Sequence, residues 1–108
     1  MEKVSNKFFD NLGFHKDEYK DVVDYKNHMG DIHTTIKTIY SIYIDDRWAK
    51  FEHTYSVYTN KFGDKKVSNY YQFYASNDKT GFKVENDITH IKPTIEQIKA
   101  ALLVCGIV

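Results

Sequence analysis

The chain has 108 residues, which is the size of one ordinary domain and enough to bury a core without disulfides or metal ions. Fifteen lysine and arginine residues balance fifteen aspartate and glutamate residues, so the formal net charge is zero. This balance disfavours both a strongly acidic mimic of DNA and a strongly basic duplex-binding protein.

Cysteine usage and hydropathy favour an intracellular protein. Cys105 is the single cysteine, so an internal disulfide is excluded. A charged start followed by an apolar run, which would be typical of a signal peptide or a membrane span, is missing from the sequence. We therefore expect a soluble cytoplasmic protein without a membrane partner.

The first predicted element is a short helix of about residues 2 to 12. Three apolar residues recur at every fourth position: Val4, Phe8 and Leu12. This spacing places them on one helical face. Gly13 can adopt the left-handed conformation that commonly ends a helix, and Phe14 can then fold back on the last turn.

The middle of the chain alternates polar and apolar residues with a period of two, which predicts strands. Turn-forming residues divide it into five stretches, roughly 18 to 26, 32 to 44, 47 to 59, 66 to 76 and 82 to 88. Five short strands joined by short turns predict an antiparallel meander.

The turns also predict the register of the strands. A two-residue hairpin loop at Asp45 and Asp46, followed by turns at Gly63 and Gly81, gives one mostly apolar face. The expected pairs are Ile42–Ala49, Tyr40–Phe51, Thr38–His53, Ile36–Tyr55, Thr34–Val57, Val57–Val67, His53–Tyr71 and Phe51–Phe73, with Phe82 and Val84 on the same face. For the first strand we expect Tyr25 opposite Ile32 and Val23 opposite Thr34.

The last predicted element is a helix that begins after Thr94. Thr94 and Gln97 have the spacing of a capping box, and Gly106 can end the helix. Its apolar stripe consists of Ile95, Ile98, Leu102 and Cys105.

These elements predict an α+β fold in one domain, residues 1 to 108. The five-stranded antiparallel meander sheet is expected to carry the N-terminal and C-terminal helices packed on one face, because both helical stripes need an apolar partner. The residues expected in one core are Phe51, Tyr55, Val57, Phe73 and Leu102.

The opposite face of the predicted sheet also carries large rings, and no element is left to cover it. Its apolar residues are Ile39, Tyr43, Trp48, Tyr58, Tyr70 and Tyr74; between them stand Lys20, Lys37, Lys50, Lys66 and Lys83, with Asp24, Glu52 and Glu85. Exposed Tyr and Trp are typical anchors of interfaces. We predict a partner-binding site made of Tyr43, Trp48, Tyr58, Tyr70, Tyr74, Lys37 and Lys50.

The same rings are consistent with three alternative roles. Aromatic residues are good strand formers, so the rings can simply stabilise the sheet. The face can also bind a second copy of the chain, as a homodimer, or a single-stranded nucleic acid, whose bases stack on exposed rings. Nucleic acid is the less favoured partner, because carboxylates share the face and the net charge is zero.

The sequence has no pattern that predicts catalysis, a cofactor or a metal ion. His15, His28, His33, His53 and His90 match no metal-binding spacing; His53 is expected half-buried, and His28 and His33 solvated. Cys105 is expected to fill the core as an inert thiol, and Asp45 and Asp46 are turn residues. Phosphate-loop and hydrolase motifs are missing, so we expect a protein that is not an enzyme.

The organisation of the whole chain resembles a known group of proteins. A helix ending in FFDNLGF, a meander rich in Tyr and Lys, and a closing TIEQIKAALLVCGIV are similar to small accessory proteins of phages and mobile elements of low-GC Gram-positive bacteria. The resemblance implies a protein that binds and inhibits a host enzyme or defence complex, such as a nuclease, as anti-CRISPR proteins do. It assigns no functional residue.

Overall fold

The computed structural model of the chain describes residues 6–24 and 32–108. Two short helices flank five strands in the order α1 (Asn6–Asn11), β1 (His15–Asp24), β2 (Ile32–Ile44), β3 (Arg47–Thr59), β4 (Lys65–Asn77), β5 (Phe82–Thr89) and α2 (Ile95–Val104). Val4, Tyr25 and His28, for which the sequence predicted positions, lie outside the described residues.

The strands form one antiparallel sheet in the order β1-β2-β3-β4-β5, so the meander is confirmed. Ile44 pairs with Arg47, which leaves Asp45 and Asp46 as the two-residue turn, and Asp45 has the positive φ of 53° that such a turn needs. Every predicted pair between β2 and β3, and between β3 and β4, occurs in the sheet. The alternation of side chains therefore divides these strands into two faces as predicted.

The predicted register of β1 is wrong by one residue. Val23 pairs with His33, and Val22 pairs with Thr34, where Val23 was expected. A one-residue shift moves every side chain of a strand to the opposite face. Lys20, expected on the same face as Trp48, therefore lies on the face of Tyr40, and Tyr19 takes its place on the other face.

The helix ends follow the predicted capping. Thr94 Oγ1 accepts a hydrogen bond from the backbone N–H of Gln97, and the Gln97 side chain accepts one from the N–H of Thr94, which completes the capping box. Beyond α2, Gly106 has a φ of 70°, and the N–H of Ile107 returns to the carbonyl of Leu102 at 2.8 Å.

One buried cluster joins residues from both helices to residues of the sheet. Its members are Phe9, Phe14, Tyr40, Ala49, Phe51, Phe73, Ala75, Ile98, Ala101, Leu102, Cys105 and Ile107. The Phe9 ring stacks on Tyr40 at 4.7 Å and on Phe51 at 4.9 Å between ring centroids. Phe51, Phe73 and Leu102 are thus core residues as predicted. The packing of both helices on one face of the sheet stays a prediction.

Two residues expected in the core lie outside it. Tyr55 and Val57 belong neither to the buried cluster nor to the partly buried residues packed against it. We call the face that carries Tyr40, Phe51 and Phe73 the inner face and the other one the outer face. Strands of thirteen residues are about 43 Å long, whereas a ten-residue helix is about 15 Å long, so the cluster occupies only one end of the inner face.

Candidate binding surface on the outer face of the sheet

Three rings meet on the outer face beside the turn between β2 and β3. Tyr43 pairs directly with Trp48, and their ring centroids are 6.5 Å apart with an angle of 22° between the planes. Tyr74 pairs with Lys50, two residues further along β3. Tyr43 is the penultimate residue of β2 and is 72% exposed. We call Tyr43, Trp48 and Tyr74 the ring cluster.

The ring cluster lines a shallow cavity of about 320 Å³, together with Lys50 and Glu85. Glu85 reaches the cavity because it pairs with Tyr74 across β4 and β5. A cavity of this size holds one large side chain of a partner, with rings as walls and one charge of each sign at the rim.

Two lysines of this face, Lys37 and Lys50, share one carboxylate. Lys50 Nζ lies 2.7 Å from a carboxylate oxygen of Glu52, and Lys37 Nζ lies 3.9 Å from the other oxygen. The hydrogen bond to Glu52 is the main reason why the pKa of Lys50 is raised above its ordinary value, against the opposing effect of burial. Glu52 thus offsets one of these two positive charges and lowers the affinity of this part of the face for a phosphate backbone.

The seven predicted site residues do not form one continuous site. Tyr43, Trp48, Tyr74 and Lys50 meet at the cavity, whereas Lys37 and Tyr70 line a separate cleft of about 90 Å³. Tyr70 also packs on His90, at 4.5 Å between ring centroids.

Tyr58 is far from the ring cluster. It pairs with Lys66 near the opposite end of β3, ten residues from Trp48, which is roughly 33 Å along a strand. Its ring lies edge-on to His33 at 6.3 Å. Four of the seven predicted residues therefore line one cavity, and the other three lie elsewhere on the outer face.

Glu85 lines the cavity, although the sequence pattern placed it on this face without assigning it to the site. Within the ranges 6–24 and 32–108, no lysine, arginine or histidine nitrogen lies within 4.0 Å of its carboxylate. The turn at Gly81 sets the register between β4 and β5, and this register pairs Glu85 with Tyr74. The sequence could therefore have placed Glu85 beside the ring cluster.

A larger cavity of about 440 Å³ lies where β5 leaves β4 at a bulge between Tyr71 and Phe73. Two of the polar side chains in its wall already have partners inside the protein. Gln97 completes the capping box of α2, and the Gln72 amide donates to the Tyr74 hydroxyl. Gln72 and Gln97 are therefore less available to bind a ligand in this cavity.

The histidines do not gather into a metal site. Among the described residues, no group of three or more His, Cys, Asp or Glu side chains is placed to hold a metal ion. His53 is half-buried as predicted, stacked on Tyr71 at 4.8 Å and bonded to Asn69 at 2.8 Å. His33 was expected to be solvated, but it is half-buried and hydrogen-bonded to Ser56 at 2.5 Å, because the neighbouring strand β3 places Ser56 and Tyr58 beside it.

Cys105 lies in the core, as expected. It is fully buried, and this burial raises the pKa of its thiol above the ordinary value. Its Sγ lies 3.9 Å from the carbonyl oxygen of Phe82.

None of the helices among the described residues is long and apolar enough to cross a membrane. Comparison of the chain with protein-family models, with curated proteins and with solved structures finds no match. What this chain does must then be inferred from its own surface.

Proposed function

We propose that this chain is a non-enzymatic binding protein that engages a protein partner through the ring cluster on its outer face. The single observation that carries the proposal is the cavity lined by Tyr43, Trp48 and Tyr74. Of these three rings, Tyr43 is largely exposed. Large rings at the wall of a concave patch are the usual anchors of protein interfaces, because they bury much apolar area at little cost in conformational entropy.

We also infer that both helices cover the inner face, which leaves the outer face free. In support, Phe9 of α1 stacks on Tyr40 and Phe51, which are inner-face residues. At the other helix, the Arg47 guanidinium donates to the carbonyl of Gly106, just beyond α2, at 2.5 Å. Ile98 and Leu102 are buried in the same cluster as these rings.

The favoured form of the proposal is an inhibitor of a host protein, such as a defence nuclease, encoded by a phage or mobile element. The organisation of the chain, which resembles small accessory proteins of phages and mobile elements, favours this form. Binding alone would be enough for such a protein to act.

Single-stranded nucleic acid is the second candidate, since exposed rings can stack on bases. The carboxylates of Glu52 and Glu85 on the same face weigh against it, because they reduce the positive charge that would follow a phosphate backbone. Salt separates the two: a nucleic-acid complex weakens steeply between low and moderate salt, whereas a protein complex held by rings tolerates it.

The proposal is tested with the single change Tyr43→Ala and its matched control, Phe62→Ala. Phe62 is as exposed as Tyr43 but lies in the turn between β3 and β4. Both variants and the original chain are immobilised and exposed to a lysate of a low-GC Gram-positive bacterium. We expect Tyr43→Ala to weaken capture of the bound protein by about 30-fold or more, equivalent to about 2 kcal/mol, while Phe62→Ala retains it.

Equal capture by the two variants would contradict the role of the ring cluster. Retention of single-stranded nucleic acid in place of a protein, with loss at moderate salt, would favour the second candidate.

A further inference from the structure

At the end opposite the buried cluster, the described residues place no helix on the inner face. The apolar side chains there are Val22, Ile32, Ile36, Tyr55, Val57 and Val67, and we call them the distal inner patch. Cross-strand pairs hold them together, with Val22 beside Thr34, Ile36 opposite Tyr55, and Val57 opposite both Thr34 and Val67.

No described residue covers this patch. Its members are absent both from the buried cluster and from the partly buried residues packed against that cluster. Val22 and Val67, at its two sides, are about half exposed, and the other four members are half-buried. An antiparallel sheet normally buries its apolar face against a second layer, and the described residues supply no such layer along about half of each long strand.

We propose that the distal inner patch is the contact between two copies of this chain, packed sheet on sheet. Two twisted sheets pack face to face about 10 Å apart, each supplying the layer that the other lacks. A two-fold axis through the patch brings each residue onto the same surface of the partner copy, as symmetric dimers require.

The charge distribution fits a second copy as the occupant. The centre of the patch, at Ile36, Tyr55 and Val57, has no charged side chain, and homodimer contacts have apolar centres of this kind. Lys20 on β1 and Lys65 on β4 border the patch, where long side chains keep their ammonium groups in water. With a formal net charge of zero, two copies also approach without long-range repulsion.

The available area predicts a weak dimer. In a sheet, one side chain covers about 32 Å², from a strand spacing of about 4.8 Å and a two-residue repeat of about 6.7 Å. The distal inner patch and its polar neighbours comprise twelve inner-face side chains: Lys20, Val22, Ile32, Thr34, Ile36, His53, Tyr55, Val57, Thr59, Lys65, Val67 and Asn69. They give roughly 400 Å² per copy, or about 800 Å² in total, before surface relief is counted. This total lies below the roughly 1,200 Å² at which stable interfaces begin and in the range of weak, transient ones.

This dimer differs from one built on the ring cluster, because it uses the opposite face of the sheet. Both outer faces stay open, so the dimer presents two ring clusters. The inference is independent of the proposed function: either can fail while the other holds.

The test is sedimentation equilibrium of the full chain from about 1 µM to about 1 mM, the range in which small interfaces associate. Two variants, Val67→Lys and Val22→Lys, each place an ammonium group in the patch, at opposite sides of it. The control is Val104→Lys on α2, because Val104 is 54% exposed and Val67 is 52% exposed. Circular dichroism melts of the same samples show whether each variant is folded.

We expect the original chain and Val104→Lys to approach twice the 12.7 kDa mass of one chain as concentration rises. Val67→Lys and Val22→Lys are expected to raise the dimer dissociation constant by at least about tenfold while remaining folded. A chain that is monomeric over the whole range would overturn the inference. So would a dimer that both patch variants leave intact, and loss of the dimer on removal of the ring cluster would assign it to the outer face.

Discussion

Leu102 and Leu103 are neighbours in α2 with opposite environments, and they provide an internal comparison of how the helix packs. Leu102 is 0% exposed and belongs to the buried cluster, whereas Leu103 is 68% exposed. Replacing each with Ala makes the same chemical change in the same helix. The difference between the two variants therefore isolates burial from helix propensity.

The magnitude follows from what surrounds Leu102. It is buried with Phe9, Ile98 and Cys105 in one cluster, so removing three carbon atoms leaves a cavity that the rings of the sheet can fill only partly. Leu102→Ala is expected to lower the free energy of unfolding by about 2 to 5 kcal/mol. Leu103→Ala should change it by less than about 0.5 kcal/mol, because its side chain contacts mostly water.

Chemical denaturation with urea, followed by circular dichroism, measures both values. In a domain of this size, a loss of about 3 kcal/mol also lowers the melting temperature by roughly 10 to 20 °C. If the two variants lost equal stability, or Leu102→Ala lost less than about 0.5 kcal/mol, α2 would not pack on the core as described.

Three further predictions concern titratable groups. The Tyr40 hydroxyl is buried, and no hydrogen bond to it meets the distance and angle criteria among the described residues, although the Lys16 ammonium is close enough to lower its pKa. Tyr40→Phe should therefore raise the free energy of unfolding by about 1 kcal/mol in urea denaturation; a loss of that size would show that Lys16 is its partner. Cys105 should react with a thiol reagent only after denaturation, and rapid labelling of the native chain would show that α2 opens. The pKa values of Cys105, Tyr40 and Lys50 are all raised in the folded chain, so the unfolded chain releases these protons first as pH rises. The contribution of these groups to the free energy of unfolding should therefore be fully present below about pH 8.5. Above that pH, the free energy of unfolding should fall by up to about 1.4 kcal/mol per pH unit for each group that titrates. A constant free energy of unfolding up to about pH 10.5 would contradict this.

The sequence was sufficient to predict the centre of the sheet, because tight turns fix register. The two residues between Ile44 and Arg47 leave no freedom in how β2 meets β3, and the apolar pattern of both strands agrees with that single solution. The same reasoning, continued to β4 and β5, placed Trp48, Tyr74 and Glu85 on one face.

The first strand could not be predicted in this way. Seven residues separate the end of β1 from the start of β2, and a connection of that length does not fix register. The pattern of β1 gives no second signal, because charged residues occur at both even and odd positions, such as Lys16, Asp17, Glu18 and Asp21. A one-residue error was therefore invisible in the sequence.

The extent of the core was missed for a different reason. Thirteen-residue strands are nearly three times as long as the ten-residue helix α2, so the helices could not cover Tyr55 and Val57 as well as Phe51. That comparison of lengths needed only the sequence. Which rings share a cavity did need coordinates, since Tyr58 and Trp48 lie on one face but far apart along it.

The ring cluster is the central claim, and the triple variant Tyr43→Ser, Trp48→Ser and Tyr74→Ser tests it most directly. Its matched control is the triple variant Phe62→Ser, Ile91→Ser and Leu103→Ser, which removes exposed apolar side chains away from the outer face. Partner capture from lysate is measured for both, with urea denaturation of the same samples. We expect the ring variant to unfold cooperatively and to lose capture, while the control retains it. A ring variant that loses about 0.2 to 1 kcal/mol of stability for each cross-strand pair but captures the partner as well as the control would contradict the account, and would assign these rings to the sheet alone.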